Sequence, residues 1–328
     1  MKKERIVYWD YLRGIAILMV VAIHCYPFDV RVIDEHLFPS VMRAFINVCV
    51  PLFLAISGFF IGRKSFNIKD EYFSFLKKQI PRVYIPCILF SIPITLLAIH
   101  TGGSIVGNLV KLVLCQSFVI YYFIALIIQL YILTPLIQKM MGKPLIGGGK
   151  IFLINLLSLF ILQYVLTEDF DYKLFLFRVG PFMYWIAYYA LGMYLSKSDR
   201  DYSLPIPFVI LITGYLAQFA ETYFFGIGID LPVAILIYSC GMILVLFSKR
   251  TEALFNKIDK HLGWLASVGR YSFVIYLIHL YVLMAFNRIV DVKIWIVSWV
   301  CVILLSYVSV WFIDKVLPQN LKHYFGLN

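Results

Sequence analysis

Apolar residues in this chain gather into long blocks separated by short polar breaks, and neither a two-residue alternation nor a narrow helical stripe describes them. A helical residue rises about 1.5 Å and the hydrocarbon core of a bilayer is about 30 Å thick, so a membrane-crossing helix takes about 20 mostly apolar residues. Ten runs come near that length. They lie at Leu12 to Pro27, Ala44 to Gly62, Val83 to Ile99, Phe118 to Met140 and Ile151 to Leu166. The other five lie at Pro181 to Leu195, Ile206 to Phe225, Leu231 to Phe247, Tyr271 to Asn287 and Ile294 to Ile313. The pattern predicts an all-α protein, a polytopic transmembrane bundle of about ten spans. Ser104 to Ser117 is too short to cross and polar at Lys111, and is expected to be an interfacial or re-entrant piece.

Composition agrees. Hydrophobic residues are 62% of 328, charged residues 14%, and the mean hydropathy is +0.87, a balance that water does not solvate as ordinary globular domains. The formal net charge of +11 sits between apolar runs instead of on one basic surface, which argues against nucleic acid and for membrane topology. With a cytoplasmic N-terminus, Arg63, Lys64, Lys69, Lys77, Lys78 and Arg82 fall in one cytoplasmic loop, and Lys249, Arg250, Lys257 and Lys260 in another. The acidic loop of Glu168, Asp169 and Asp171 then falls outside. Lys2, Lys3 and Arg5 ahead of Ile15 to Ile23 resemble a signal peptide. Tyr26, Pro27 and Phe28 follow where a small-residue cleavage site would be needed, so an uncleaved first span is expected.

No repeat of fixed period or low-complexity stretch interrupts residues 1–328, which are expected to form a single transmembrane domain. Cys25, Cys49, Cys87, Cys115, Cys240 and Cys301 form no CxxC pair and no metal-ligand spacing. They read as small buried hydrophobes, and no metal site is expected.

Ionisable side chains inside spans cost about 2.5 to 3.5 kcal/mol on insertion scales, so those present need a partner, a watered cavity or a function. Arg13 and His24 are eleven residues apart on the first span. At about 100° per residue they return to within about 20° of one face, with His24 about 16 Å deeper. An arginine fork at a cytoplasmic mouth suits a phosphate, and a histidine farther in suits proton transfer. A phosphate head with a long thin arm, such as an acyl-CoA, would touch both. The bland alternative is that Arg13 snorkels to the interface beside Asp10 and His24 packs.

Glu221, with Gln218 one turn earlier, is the carboxylate placed well inside an apolar run. It would orient His24, accept a substrate hydroxyl, or stabilise packing through hydrogen bonds. His279, mid-span, and His100, at an outer span end, are read as packing residues. The segment Lys77 to Arg82 is either a plain cytoplasmic anchor or a second phosphate contact near Arg13.

These residues carry a resemblance. Asp10, Leu12, Arg13, Gly14, Ile15 and His24 resemble the first-span signature of the membrane acyltransferase-3 family, Arg or Lys, ten residues, then His. Pro51, Leu52, Phe53 through Ser57, Gly58, Phe59 are similar to a second landmark, and Tyr121, Tyr122, Phe123, Ile124 through Gln129, Tyr131, Pro135 to a third. Gly269, Arg270, Tyr271, Ser272, Phe273, Tyr276, Leu277 and His279 supply a fourth, in the expected order. The resemblance implies transfer of an acyl group, by default acetyl, from cytoplasmic acyl-CoA to a hydroxyl of an extracytoplasmic glycan or lipid-linked sugar. Acyl-CoA would be a co-substrate, with no permanently bound cofactor.

On this reading His24 is the catalytic histidine, as general base or as acyl carrier, and Glu221 a candidate beside it. Arg13, Asp10, Lys78 and Arg82 form the donor site. One departure stands out: many members carry Arg-x-x-Arg where this chain has Gln79 and Arg82, so Lys78 is expected to supply the missing charge. No hydrolase-like domain of the kind some members carry is expected within residues 1–328, which would leave acceptor handling to the membrane domain or to partner proteins of envelope biosynthesis. The rival readings are a transporter or flippase for a polysaccharide or lipid-linked intermediate, and an assembly partner without chemistry.

Overall fold

The computed structural model describes residues 6–25, 37–64, 66, 69–165, 180–225, 233–290 and 294–327. The features read at Tyr26 to Phe28 and at Glu168, Asp169 and Asp171 lie outside the described residues. Among those described there is no strand, and the chain is a bundle of α-helices. They are α1 Tyr8–His24, α2 Leu37–Ile46, α3 Cys49–Gly62, α4 Lys69–His100, α5 Ile105–Val113, α6 Tyr122–Met141 and α7 Pro144–Phe160. After these come α8 Ile186–Leu195, α9 Pro205–Phe225, α10 Ile235–Phe247, α11 Lys249–Lys257, α12 Gly263–Ile289 and α13 Trp295–Val316. Among the described residues 6 helices are long and apolar enough to cross a membrane, and shorter apolar helices accompany them. Each of the ten apolar runs centres on a helix.

Two local readings are corrected. Lys77, Lys78 and Arg82 are not on a loop: α4 begins at Lys69 and carries them on its exposed first turns. Leu, Lys and Gln are good helix formers, and a spanning helix continues into water beyond its apolar stretch. Lys249, Arg250 and Lys257 are likewise helical, on the short polar α11. The run Ala44 to Gly62 stands as one membrane-length stretch, Val41–Gly62, with a short turn at Asn47 and Val48 between α2 and α3. Pro51 has no N–H to give the Asn47 carbonyl, and the Asn47 side chain instead receives the buried Arg43 guanidinium.

The segment Ser104 to Ser117 holds α5, which has no buried residue and packs along α4, the Tyr84 hydroxyl donating to the Val113 carbonyl at 2.9 Å. Its exposed Ile105, Val106, Leu109, Val110 and Val113 make one apolar stripe, which gives this short helix an amphipathic face.

Glycine sets the tightest helix crossings, because lipid supplies no hydrophobic drive between helices and close backbone approach does the work. A Cβ on Gly269 of α12 would lie 1.8 Å from the Asp10 carbonyl oxygen of α1, and one on Gly14 would lie 2.5 Å from that of Leu265. From this crossing the two helices run on in the same direction. Gly58 and Gly192 lock α3 against α8 in the same way.

One end of the bundle collects the start of α1, the end of α3, the first turns of α4, and α11. There Arg200 lies over the rings of Trp9 and Phe59 at 5.5 and 5.2 Å and pairs with Glu252 at 2.8 Å. This basic end is the one expected to face the cytoplasm.

Candidate functional site

Arg13 lies one turn above the buried Asp10 on α1 and pairs with it at 2.9 Å. Its guanidinium sits 5.1 Å from the centre of the Phe60 ring on α3. This fixes the fork on the wall of a cavity of about 250 Å³. Arg13, Ser57, Lys64, Gln79 and Tyr131 form the polar wall; Phe53, Ile56, Phe60 and Ile61 form the apolar one. Lys64, just past α3, sits 5.0 Å above the Phe75 ring. Partial burial, then the nearby Lys78 and Arg82, hold its amine below the ordinary lysine range. Arg82 is also within electrostatic reach of Tyr131. Arg13 and Lys64 thus line one hollow, while Lys78 and Arg82, which are not on its wall, lie on α4 within electrostatic reach of Lys64; a local excess of positive charge of this kind is what an anionic phosphate group would neutralise. Gln79, the residue that departs from the family motif, is on the cavity wall, and Lys64 joins Lys78 as a nearby source of charge. The sequence reading had placed Lys64 in the basic loop without singling it out.

The second half of the site is a pair of histidines. His24 is the last residue of α1 and half-buried; its ring lies 5.3 Å from that of His279 on α12, with the planes 38° apart. His279 is fully buried at 0% exposure. Its Nδ1 lies 2.8 Å from the Tyr276 carbonyl and 3.2 Å from that of Ile275, so Nδ1–H donates and Nε2 keeps its lone pair. That Nε2 is buried with no hydrogen-bond partner among the described residues. A buried acceptor left open in this way is rare in folded proteins and is suited to receiving a proton.

Sequence reasoning took His279 for packing. The signal was present: Gly14 and His24 are ten residues apart, as are Gly269 and His279. Two parallel helices locked at those glycines carry their histidines to one level, about 15 Å beyond the crossing.

Neighbouring helices hold this end of α1. Trp295 and Trp299 of α13 donate their indole N–H groups to the carbonyls of Ala22 and Leu18 at 2.8 and 2.9 Å. The buried Arg43 of α2 lies within electrostatic reach of His24. Neither contact was anticipated from the sequence, since both depend on which helices are neighbours.

Glu221 is placed differently from the histidines. Its carboxylate accepts from the backbone N–H groups of Val233 and Ala234, at 3.0 and 2.6 Å, at the start of α10. That is a helix cap, the hydrogen-bonded packing role among those open to it. Replacing it by Gln should cost about 1 kcal/mol, seen as a melting point lower by a few degrees in detergent-purified protein. A loss of turnover with unchanged melting would instead put Glu221 in the reaction. His100 is the exposed last residue of α4, and Gln218 is buried on α9.

The family model described as an acyltransferase domain, that of the acyltransferase-3 family, matches residues 6–315. The chain belongs to this family. Its membership makes it an acyltransferase-type multi-pass membrane protein. Among curated proteins it is similar to a serine/alanine racemase of Enterococcus gallinarum, 28% identical over 294 residues, which are 83% of this chain and 40% of that protein. It is also similar to an amino-acid racemase of Enterococcus faecalis, 33% identical over 143 residues, 40% of this chain and 19% of that protein. The chain therefore spans less than half the length of these relatives. No solved structure matches it.

Proposed function

We propose that this protein moves an acyl group, acetyl by default, from acyl-CoA on the cytoplasmic side to a hydroxyl of an extracytoplasmic glycan or lipid-linked sugar. The observation that carries the reading is the cation-lined cavity at Arg13 lying in line with the His24 and His279 pair. CoA phosphates rest against Arg13, Lys64, Lys78 and Arg82, and the pantetheine arm runs up α1 toward His24.

The acceptor hydroxyl gives its proton to His24 as its oxygen bonds to the thioester carbonyl carbon. The carbon–sulfur bond then breaks, and the proton passes to the leaving thiolate. His279, with Nε2 open beside His24, accepts an N–H from the imidazolium that forms and so steadies it. An acyl-histidine intermediate on His24 is the alternative order of the same steps.

The test is protein in liposomes given acetyl-CoA on the Arg13 side and an oligosaccharide or lipid-linked sugar on the other. Release of CoA thiol matched by acetylated saccharide in the mass spectrum is expected.

A second reading has one observation behind it: the curated relatives are named as racemases of serine, alanine and amino acids. On that reading the bundle passes a small amino acid across the membrane. Labelled serine flux in the same liposomes, without thiol release, would decide for it.

A further inference from the structure

The cavity and the histidine pair are close but not continuous. Phe60 of α3 packs on both Trp9 and Arg13 of α1, at 5.4 and 5.1 Å, and from this level the two helices run in opposite directions, the start of α1 and the end of α3 sharing one end of the bundle. His24 is eleven residues beyond Arg13, a rise of about 16 Å, while Phe53 is seven residues from Phe60 toward the same side, a rise of about 10 Å. Phe53, which lines the cavity, therefore stands one to two helical turns, about 6 to 12 Å, short of His24.

What fills the interval is aromatic. Phe53 packs on Phe123 of α6 with ring centres 6.2 Å apart, and Phe123 packs edge-on against Tyr276 at 5.8 Å. Tyr276 lies 6.2 Å from His279, which faces His24 at 5.3 Å. The ladder of rings leads from cavity floor to reaction centre. Tyr276 is anchored, its hydroxyl donating to the Ile120 carbonyl. Phe53 and Phe123 are half-buried and have no polar atom that a hydrogen bond could hold in place.

We propose that Phe53 and Phe123 form a gate between the phosphate-binding cavity and the histidine pair, and that its width restricts the acyl group transferred to small ones such as acetyl. The inference rests on the reading that the cavity holds the CoA of an acyl donor. A thioester reaches His24 only by passing these two rings. Each added methylene then has to displace phenyl atoms packed on their neighbours, and discrimination of about 10-fold or more per misfit is the range such pockets achieve.

The experiment compares Phe53→Ala, Phe53→Leu and Phe123→Leu with the wild-type chain in liposomes. The donors are acetyl-, butyryl- and hexanoyl-CoA, and the readout is kcat/KM for each. The wild-type protein should favour acetyl over hexanoyl, and the variants should raise the hexanoyl-to-acetyl ratio by about 10-fold. The leucine variants guard against an alanine variant that fails to fold. A ratio unchanged from wild type in the folded variants overturns the gate. CoA binding by calorimetry to wild type and Arg13→Ala separates the two failures: Arg13-dependent binding with an unchanged ratio sinks the gate alone, and no binding of CoA to the wild type sinks the donor reading with it.

Discussion

His24→Ala protein should insert and fold as the wild type does and transfer acyl groups about 10² to 10⁴ times more slowly, the range a positioned general base contributes. The side chain ends α1 and is half-buried, so its removal leaves the Gly14 and Gly269 crossing and both tryptophan bonds to α1 intact. His279→Ala should also slow turnover, since Nδ1 is committed to backbone carbonyls and only Nε2 serves the neighbouring ring.

Because the two rings act as a unit, the double variant should be no slower than the worse single one. The pH profile gives an independent sign. A base must be unprotonated, so kcat/KM should fall as the pH drops through the pKa of the free enzyme's histidine. Equal turnover of His24→Ala and wild type, at matched membrane insertion, would remove His24 from the mechanism.

Loss of the cavity's charges should act on donor binding. Each charge-assisted hydrogen bond to a phosphate is worth about 1.5 to 3 kcal/mol, so Arg13→Ala should weaken CoA binding by about 10- to 100-fold. Arg13→Lys keeps the cation near Asp10 and should recover part of it without the bidentate geometry. Lys64→Ala should cost less, because a lysine offers a point charge without the bidentate fork of an arginine.

The sharper variant is Gln79→Arg. Gln79 is on the cavity wall, so a guanidinium there adds a third cation to the lining and should tighten CoA binding several-fold at low ionic strength, with the gain shrinking as salt rises. Titration calorimetry with CoA across a salt series reads all four. Unchanged affinity for Arg13→Ala would mean that the cavity does not hold the phosphates.

Much of this was written along the chain. Ten apolar runs needed no neighbour to be recognised, since span length follows from bilayer thickness and helical rise. The stripe shared by Arg13 and His24 was likewise legible, because it depends on one helix only. The polar turns of α4 were misread as loop, since hydropathy marks where lipid ends and says nothing of where the helix ends.

What the sequence by itself determined is the solvent of the fold, the helical class, and the separation of Arg13 from His24, all consequences of local periodicity against a medium of fixed thickness. Only the tertiary structure decided that His279 stands beside His24, that Lys64 joins Arg13 on the wall of one cavity, and that Glu221 caps α10. Each of those depends on which helix faces which, settled here by glycines that let backbones touch and by hydrogen bonds between residues far apart in the chain.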